Sequence, residues 1–122
     1  MSGGLLQLSG VVVDLVHQVD HLPAPGEEVE TPTFQMTAGG GFNAMAAARR
    51  MGVTVTYGGV LGTGPLAEIA MRGLDAEGIS LSLAKRAPID QGSCAVIVDH
   101  TGERSFITHH GTLPPATGWT ST

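Results

Sequence analysis

The sequence predicts an α/β fold with a partial parallel sheet, flanking helices and a smaller β-sheet beside it. Segments rich in β-branched residues alternate with segments of helical periodicity, which is typical of parallel α/β sheets. The first segment, Leu5–Val13, is an apolar run closed by Asp14 and reads as one buried parallel strand. Two polar segments, each made of two extended stretches, interrupt the alternation. We expect these segments to form the smaller sheet.

The composition fits one folded domain and limits the kinds of partner that the protein can bind. Of 122 residues, 42% are hydrophobic and 14% charged, which excludes disorder caused by excess charge. The 18 glycines indicate many tight turns and close backbone approaches. The net charge is −5 and no Lys or Arg precedes Arg49, so no basic face is expected and we expect no nucleic-acid partner.

The start of the chain and its cysteine content bear on location. Residues 1–14 contain no basic residue, and Gln7, Ser9 and Gly10 break the apolar run, so we expect neither a signal peptide nor a membrane span. The single cysteine, Cys94, cannot form an internal disulfide. We therefore expect a cytoplasmic protein.

After the first strand, the first half of the chain is predicted to contain a polar segment that leaves the core, called the excursion, and then a helix and a strand. The prolines at 23 and 25 with Gly26 force a turn, and Val29–Met36 is an extended segment suited to a sheet edge. A helix follows the AGGG segment at 38–41 and ends at Gly52. Its predicted sheet-facing side is a small-residue stripe, namely Ala44, Ala47, Ala48 and Met51. Val53–Tyr57 is a strand by composition.

The second half continues with a helix, a strand and a hairpin. Pro65 suits the first position of a helix and Gly78 the position just past its end. Its apolar stripe predicts a core-facing side made of Leu66, Ile69, Ala70, Gly73 and Leu74. Leu81–Lys85 is expected to be a third core strand. Residues 94–98 and 104–108 flank the turn signal at 99–102 and predict a β-hairpin.

A glycine run before the first helix is the main candidate for ligand binding. Gly39, Gly40 and Gly41 would let backbone N–H groups approach a ligand at a helix N-terminus. Asn43 offers an amide that both donates and accepts hydrogen bonds. The alternative is a plain glycine turn with Asn43 as a helix cap.

The second candidate is Asp14, a carboxylate at the expected end of the first strand, where open α/β sheets bind ligands. Its alternative role is turn formation or capping. A carboxylate together with a glycine–asparagine loop makes a plausible polyol site, because sugar hydroxyls need both acceptors and donors.

Two other kinds of site are weaker. Gly39, Gly41 and Ala44 satisfy a loose dinucleotide fingerprint, which would suggest an NAD-binding oxidoreductase, but they do not follow the first strand and no acid lies between Glu30 and Glu68. We interpret Cys94 as a small buried thiol and expect no metal site. We interpret the histidines as exposed polar residues, namely His17, His21, His100, His109 and His110.

The stretch AGGGFNAMAAARRMGVTVTYGGVLG resembles the first signature of the PfkB (ribokinase-like) carbohydrate kinases. Asp14 and the PAPGE segment at 23–27 agree with that family in order and spacing, and the similarity runs from about Ser9 to His110. The resemblance implies a ribokinase-like (Rossmann-like) fold of which the chain holds the N-terminal part. In the family, residues at the positions of Asp14, Gly39, Gly41 and Asn43 bind sugar hydroxyls, and we include Gly40 in the site.

The resemblance also implies an ATP-dependent, Mg²⁺-requiring transfer of phosphate to a sugar or nucleoside hydroxyl. Segments 16–36 and 92–109 would form a small β-lid over the substrate, with an irregular tail at 111–122. In some members of the family the lid pairs two subunits. A homodimer formed through the lid is therefore one alternative for this protein.

Three departures from the family pattern limit the expectation. Met45 replaces a small residue, Gly40 replaces a frequent lysine, and Thr63-Gly64 replaces an acidic pair. The family's Gly-x-Gly-Asp turn, which carries the general base, is absent from these 122 residues, so no catalytic residue is assigned and we expect no turnover from them alone. A truncated fragment without catalysis, or a self-associating module, is the alternative.

Overall fold

Eight strands and two helices follow one another along residues 4–113, the part of the chain that the computed structural model describes. The strands are β1 (Gly4–Gln7), β2 (Val11–Gln18), β3 (Thr33–Gly40), β4 (Thr54–Tyr57), β5 (Val60–Leu61), β6 (Lys85–Arg86), β7 (Ser93–Val98) and β8 (Arg104–His109). The helices are α1 (Phe42–Arg50) and α2 (Pro65–Ala76).

The strands form one mixed sheet and two parallel pairs. The mixed sheet has the order β3-β2-β7-β8, in which only the central pair β2–β7 is parallel. The pairs β1–β4 and β5–β6 are parallel. Parallel strands joined through helices confirm the predicted α/β class, and the excursion and the hairpin meet in the mixed sheet as expected.

The prediction of one strand over Leu5–Val13 is wrong. The chain leaves β1 after Gln7, and β2 starts at Val11 in the other sheet. Gly10 lies at this break, and its carbonyl accepts a hydrogen bond of 2.9 Å from the Gly41 N–H. Asp14 therefore lies in the middle of β2 rather than at the end of a strand, because Leu15 to Gln18 continue to pair with β3 and β7 on both sides.

Helix α1 forms where it was predicted but presents a different side to the core. Met45 and Ala46 are its buried residues, whereas Ala44 and Ala47 are exposed and Met51 is 84% exposed. Alanines occur on several sides of this helix, so their spacing alone does not select the side that faces the core. The large Met45 side chain does, because its burial removes more apolar surface from water.

Helix α2 follows its prediction closely. Pro65 lies at its start, Gly78 adopts a φ of 72° just past its end, and Ala70 and Leu74 are fully buried. Ala67 is buried in place of the half-buried Leu66. Gly73 lies against β3, since a Cβ added there would come within 3.0 Å of the Ala38 Cβ.

The predicted core strand Leu81–Lys85 is wrong. Ser80 alone bridges to β4, through Thr56, and the chain then turns, with the Ala84 N–H donating to the Leu81 carbonyl. The Ser80 hydroxyl accepts from the Ser82 N–H at 3.3 Å, a local bond that competes with strand pairing. Only Lys85 of this segment enters a strand, β6.

The core lies between the helices and the sheets. Its fully buried members include Val11, Val13, Met45, Tyr57, Leu61 and Leu74. The hairpin of β7 and β8 is confirmed, with Gly102 at a φ of 85° in its turn. The prediction of an irregular tail at 111–122 falls, for residues 114–122, outside the described residues.

Candidate functional site

Asp14 lies in β2, between Thr37 of β3 and Cys94 of β7. Its side chain is half-buried, and this burial raises the pKa of the Asp14 carboxyl above its ordinary value. Within residues 4–113 the carboxylate accepts no hydrogen bond, so neither the turn nor the capping interpretation of Asp14 holds. A partly desolvated acceptor without a partner is suited to receive hydroxyl donors from a ligand.

The Asp14 carboxylate lies directly over the backbone of Gly39. A Cβ added to Gly39 would stand 2.7 Å from the Asp14 Cγ and 3.0 Å from Oδ1. Such distances are shorter than side-chain contacts allow, so a residue other than glycine would push the carboxylate away. Gly39 is therefore required for the position of Asp14.

Gly40 and Gly41 carry the chain from β3 into α1 in close contact with the segment before β2. Gly40 has a φ of 63°, which favours glycine, and a Cβ there would lie 2.9 Å from the Gly10 carbonyl oxygen. A Cβ on Gly41 would lie 2.7 Å from the Ser9 carbonyl oxygen. A lysine at position 40, as in many members of the family that the sequence resembles, would be strained here.

Asn43 is the second residue of α1, and its side chain is exposed. The residue at the cap position is Gly41, and no side chain caps this helix end. The interpretation of Asn43 as a cap is therefore wrong. Its amide forms no hydrogen bond to the part of the chain that is described, which leaves both the donor and the acceptor available.

Of these candidate residues, Asp14 and Gly39 are the two that the structure brings into contact with each other. Asp14 touches Gly39 across the β2–β3 pair, and Gly40, Gly41 and Asn43 follow within the next four residues. The site offers a carboxylate acceptor, an amide and a glycine backbone free of side chains. Hydroxyl groups are the ligand chemistry that such a set of groups binds.

Sequence reasoning missed Gln91, a buried amide that links three parts of the fold. It is 1% exposed, and its Nε2 donates to the Val11 carbonyl at 2.6 Å. Its Oε1 accepts from the Gly62 N–H at 2.8 Å. Because Val11 begins β2, this contact fixes the strand that carries Asp14. Its partners are 80 and 29 residues away, so no local pattern marks it.

Asp90 was also missed, and it caps α2 from a distant loop. Its carboxylate accepts from the backbone N–H groups of Ala67 at 2.9 Å and Leu66 at 3.3 Å. Desolvation raises the pKa of Asp90, but its backbone hydrogen bonds to Ala67, Gln91 and Leu66 outweigh this and hold the pKa below its ordinary value. The side chain does what a local Ser or Asp cap would do.

Metal and dinucleotide sites receive no support. In the described part of the chain, no group of three or more His, Cys, Asp or Glu side chains could hold a metal ion. Cys94 is a half-buried free thiol. The run of Gly39, Gly41 and Ala44 follows β3, which is antiparallel to its neighbour, so it is not the first turn of a parallel strand–helix–strand unit.

Comparison with known sequences gives a match over nearly the whole chain. Residues 6–118 match the pfkB family carbohydrate kinase profile. An uncharacterized sugar kinase from Escherichia coli, YegV, is 29% identical over 108 residues, which cover 88% of this chain and 33% of that protein. The chain thus spans about a third of this curated relative.

Solved structures show the same fold. Arabidopsis thaliana ribokinase, determined with ribose and ATP, has a TM-score of 0.79 at 24% identity over 92% of this chain and 37% of that one. A nucleoside kinase of the ribokinase family from Methanocaldococcus jannaschii has a TM-score of 0.72 at 16% identity over 90% and 39%. The ribokinase-like fold expected from the sequence is confirmed, and the chain covers only part of it. Among residues 4–113, no helix combines the length and the apolar character needed to span a membrane.

Proposed function

Because the chain belongs to the pfkB family of carbohydrate kinases, we propose that it is the substrate-binding part of an ATP-dependent sugar or nucleoside kinase. In this proposal the substrate is a polyol, and one of its hydroxyl groups is the acceptor of the phosphoryl group. The protein works in the cytoplasm, in keeping with its single free cysteine.

The observation that carries this proposal is the position of the Asp14 carboxylate over Gly39, where no residue of 4–113 donates a hydrogen bond to it. A half-buried carboxylate is stabilised when it accepts hydrogen bonds, and charge-assisted hydrogen bonds are about twice as strong as neutral ones. Two neighbouring hydroxyls of a sugar can both donate to its oxygens. Asp14 is therefore the main anchor of the substrate.

Asn43 and the glycine run complete the proposed pocket. The Asn43 amide donates to one substrate oxygen and accepts from another. Gly39, Gly40 and Gly41 present backbone without side chains, so a ring can approach closely. These contacts orient the substrate, which is the contribution expected of this part of a kinase, since phosphoryl transfer depends on positioning and on charge stabilisation.

ATP and Mg²⁺ are the cofactors of the proposed reaction, and we expect residues 4–113 to lack the groups that bind them. Within 4–113 no cluster of acidic side chains could hold a metal ion, and the sequence has no Gly-x-Gly-Asp turn. We assign no residue of this chain to either group. ATP bound elsewhere in a complete kinase would supply the phosphoryl group.

We expect these 122 residues alone to bind substrate without phosphorylating it. Removal of a general base typically lowers the rate by a factor of about 10² to 10⁴, and the loss of phosphate positioning lowers it further. Sugar-dependent ATP consumption by the purified chain would contradict this expectation.

The segments 16–36 and 92–109 are proposed to act as a lid, and the lid to pair two copies of the chain. The supporting observation is the outer strand β8, where Phe106 is 61% and Ile107 67% exposed. An edge strand with exposed apolar side chains is suited to pairing with another strand. Light scattering should give a dimeric mass that the change Ile107→Lys lowers to that of the monomer.

The test of the proposed function is a binding titration followed by ¹⁵N NMR. D-ribose, D-fructose and adenosine are added separately to the unchanged chain and to Asp14→Ala. We expect at least one compound to shift the amide signals of Gly39 and Asn43, and Asp14→Ala to abolish the shifts. The control is Asp75→Ala, an exposed carboxylate of α2 far along the chain from the site. Absence of binding by every compound would overturn the proposal, as would unchanged binding by Asp14→Ala.

A further inference from the structure

One row of polar side chains crosses the mixed sheet at the level of Asp14. Strand pairing places Thr37 beside Asp14 on β3, Cys94 beside it on β7, and Thr108 beside Cys94 on β8. Directly paired residues project from the same side of a sheet, so these four side chains share one face. We call these four residues the polar row, namely Thr37, Asp14, Cys94 and Thr108.

The levels on either side of the polar row have a different character. On one side the pairing aligns Gln35 with Val16, Val16 with Val96, and Val96 with Phe106, so this level is apolar on β2, β7 and β8 and polar on β3. On the other side Gly39 stands opposite Val12. A molecule lying on the polar row would thus meet hydrogen-bonding groups along one line and apolar groups beside it. A sugar presents the same combination, with hydroxyls at its rim and C–H groups on its faces.

We infer that Thr37 and Thr108 are further substrate-binding residues, which together with Asp14 select a neutral polyol over its phosphorylated form. The inference rests on the proposed function and goes beyond it by naming residues on two additional strands and the charge of the substrate. The polar row contains one carboxylate, two hydroxyls and a thiol, and none of its members is cationic.

The spacing of the strands between Asp14 and Thr108 fits one sugar ring. Adjacent strands lie about 4.8 Å apart, so Asp14 and Thr108, which are separated by two such steps, are roughly 10 Å apart across the sheet. A hydrogen bond of about 2.8 Å at each end leaves roughly 4 Å between the two ligand oxygens. Hydroxyls of a single sugar ring can span this distance. Thr37 is one step away on the other side, so Thr37 and Thr108 are three steps, or roughly 14 Å, apart, and a ligand bound by both extends beyond a single ring.

Both threonine hydroxyls are accessible to a ligand. Thr37 is exposed, and its hydroxyl forms no hydrogen bond to residues 4–113. Thr108 is also exposed, and its hydroxyl donates to the Cys94 Sγ at 3.5 Å. Sulfur is a weak acceptor, so a substrate oxygen can replace it at little cost.

The charge of the polar row explains the selection against phosphate esters. Asp14 carries the only full charge in the row, and it is negative. A phosphoryl group held near this carboxylate would be repelled, and like charges a few ångströms apart interact strongly at a partly desolvated site. A neutral sugar meets no such repulsion.

The test compares Thr37→Val and Thr108→Val with the unchanged chain. Valine keeps the shape of threonine and removes the hydroxyl, and Thr54→Val on β4 is the matched control. The probe is the tightest-binding compound among D-ribose, D-fructose and adenosine, titrated by ¹⁵N NMR alongside its own phosphate ester. We expect each row variant to raise Kd by a factor of about 2 to 10, the value of one hydrogen bond. Thr54→Val should leave Kd unchanged, and the phosphate ester should bind at least tenfold more weakly.

The outcomes separate this inference from the proposed function. If a neutral compound binds and depends on Asp14, but either threonine variant binds it as tightly as the unchanged chain, the inference alone is overturned. Equal or tighter binding of the phosphate ester also overturns it. If no neutral compound binds the unchanged chain, both the inference and the proposed function are overturned. The ¹⁵N spectrum of each variant reports in the same experiment that it is folded.

Discussion

The carboxylate of Asp14 lies so close to the backbone of Gly39 that a methyl group on Gly39 would stand 2.7 Å from the Asp14 Cγ. The two residues are 25 positions apart and meet because β2 and β3 pair antiparallel. The side chain of one residue and the absence of a side chain at the other are thus a single structural feature. Three predictions follow from this contact and from the contacts that support it, and a fourth concerns the exposed ion pair of His21.

Gly39→Ala should displace the Asp14 carboxylate and abolish substrate binding. The added methyl group cannot be accommodated while the carboxylate stays in place. Gly4→Ala is the control, because its Cβ would meet the Thr54 carbonyl at an ordinary distance of 3.5 Å. The measurement is the NMR titration with a neutral sugar. Binding by Gly39→Ala equal to that of Gly4→Ala would show that the contact does not matter to the site.

Asp14→Asn should weaken sugar binding and leave the protein at least as stable at neutral pH. Burial raises the pKa of the Asp14 carboxyl, so the folded state holds this proton more tightly than the unfolded state does. The charged carboxylate of Asp14 therefore opposes folding. As the pH falls through the raised pKa, Asp14 becomes protonated and this destabilisation of the folded state is removed. Urea unfolding at pH 7 is the measurement. A clear loss of stability in Asp14→Asn would indicate a structural role instead.

Asp90→Ala should lower the free energy of unfolding by about 0.5–2 kcal/mol, the usual value of a helix cap. Because the pKa of Asp90 is lowered in the folded protein, its stabilisation is present above the ordinary pKa of an aspartate and is lost as the pH falls through the folded value. The variant should therefore lose less stability on acidification than the unchanged chain. Asp75→Ala, on the exposed side of α2, is the control in the same unfolding series. Equal stability of the two variants would contradict the capping role.

Glu27→Gln should lower the pKa of His21. The imidazole Nε2 lies 2.7 Å from the Glu27 carboxylate and Nδ1 lies 3.1 Å from that of Asp20, and these contacts, led by Glu27, raise the pKa of His21. The stabilisation from protonated His21 is present below the ordinary histidine pKa and is lost as the pH rises through the raised value. The measurement is an NMR pH titration of the His21 ring, with Glu28→Gln as control. The same shift in both variants would assign the effect to general charge rather than to this contact.

Local patterns predicted the elements that depend on neighbouring residues. Pro65 and Gly78 bound α2, Gly52 lies just past the end of α1, and the hairpin turn ends at Gly102, all as the sequence indicates. The helix side that faces the core was predicted for α2, whose stripe contains large apolar residues. It was not predicted for α1, where alanines on several sides left the choice to the burial of Met45.

Features that depend on distant residues were not predictable in the same way. The break between β1 and β2 reflects the pairing of each strand with a different sheet, which no local pattern records. Gln91 and Asp90 support the site through partners 23 or more residues away. The residues Asp14, Gly39, Gly40, Gly41 and Asn43 were proposed from the sequence. The structure adds the contact between Asp14 and Gly39 and removes the capping role of Asn43.

The central claim is that Asp14 and the glycine–asparagine corner bind one polyol together. A crystal structure of the chain with the neutral sugar or nucleoside that it binds tests this most directly. We predict that one ligand molecule has hydroxyl oxygens within about 3.2 Å of both the Asp14 carboxylate and the Asn43 amide. A ligand that contacts only one of the two, or that lies elsewhere on the protein, would contradict the account.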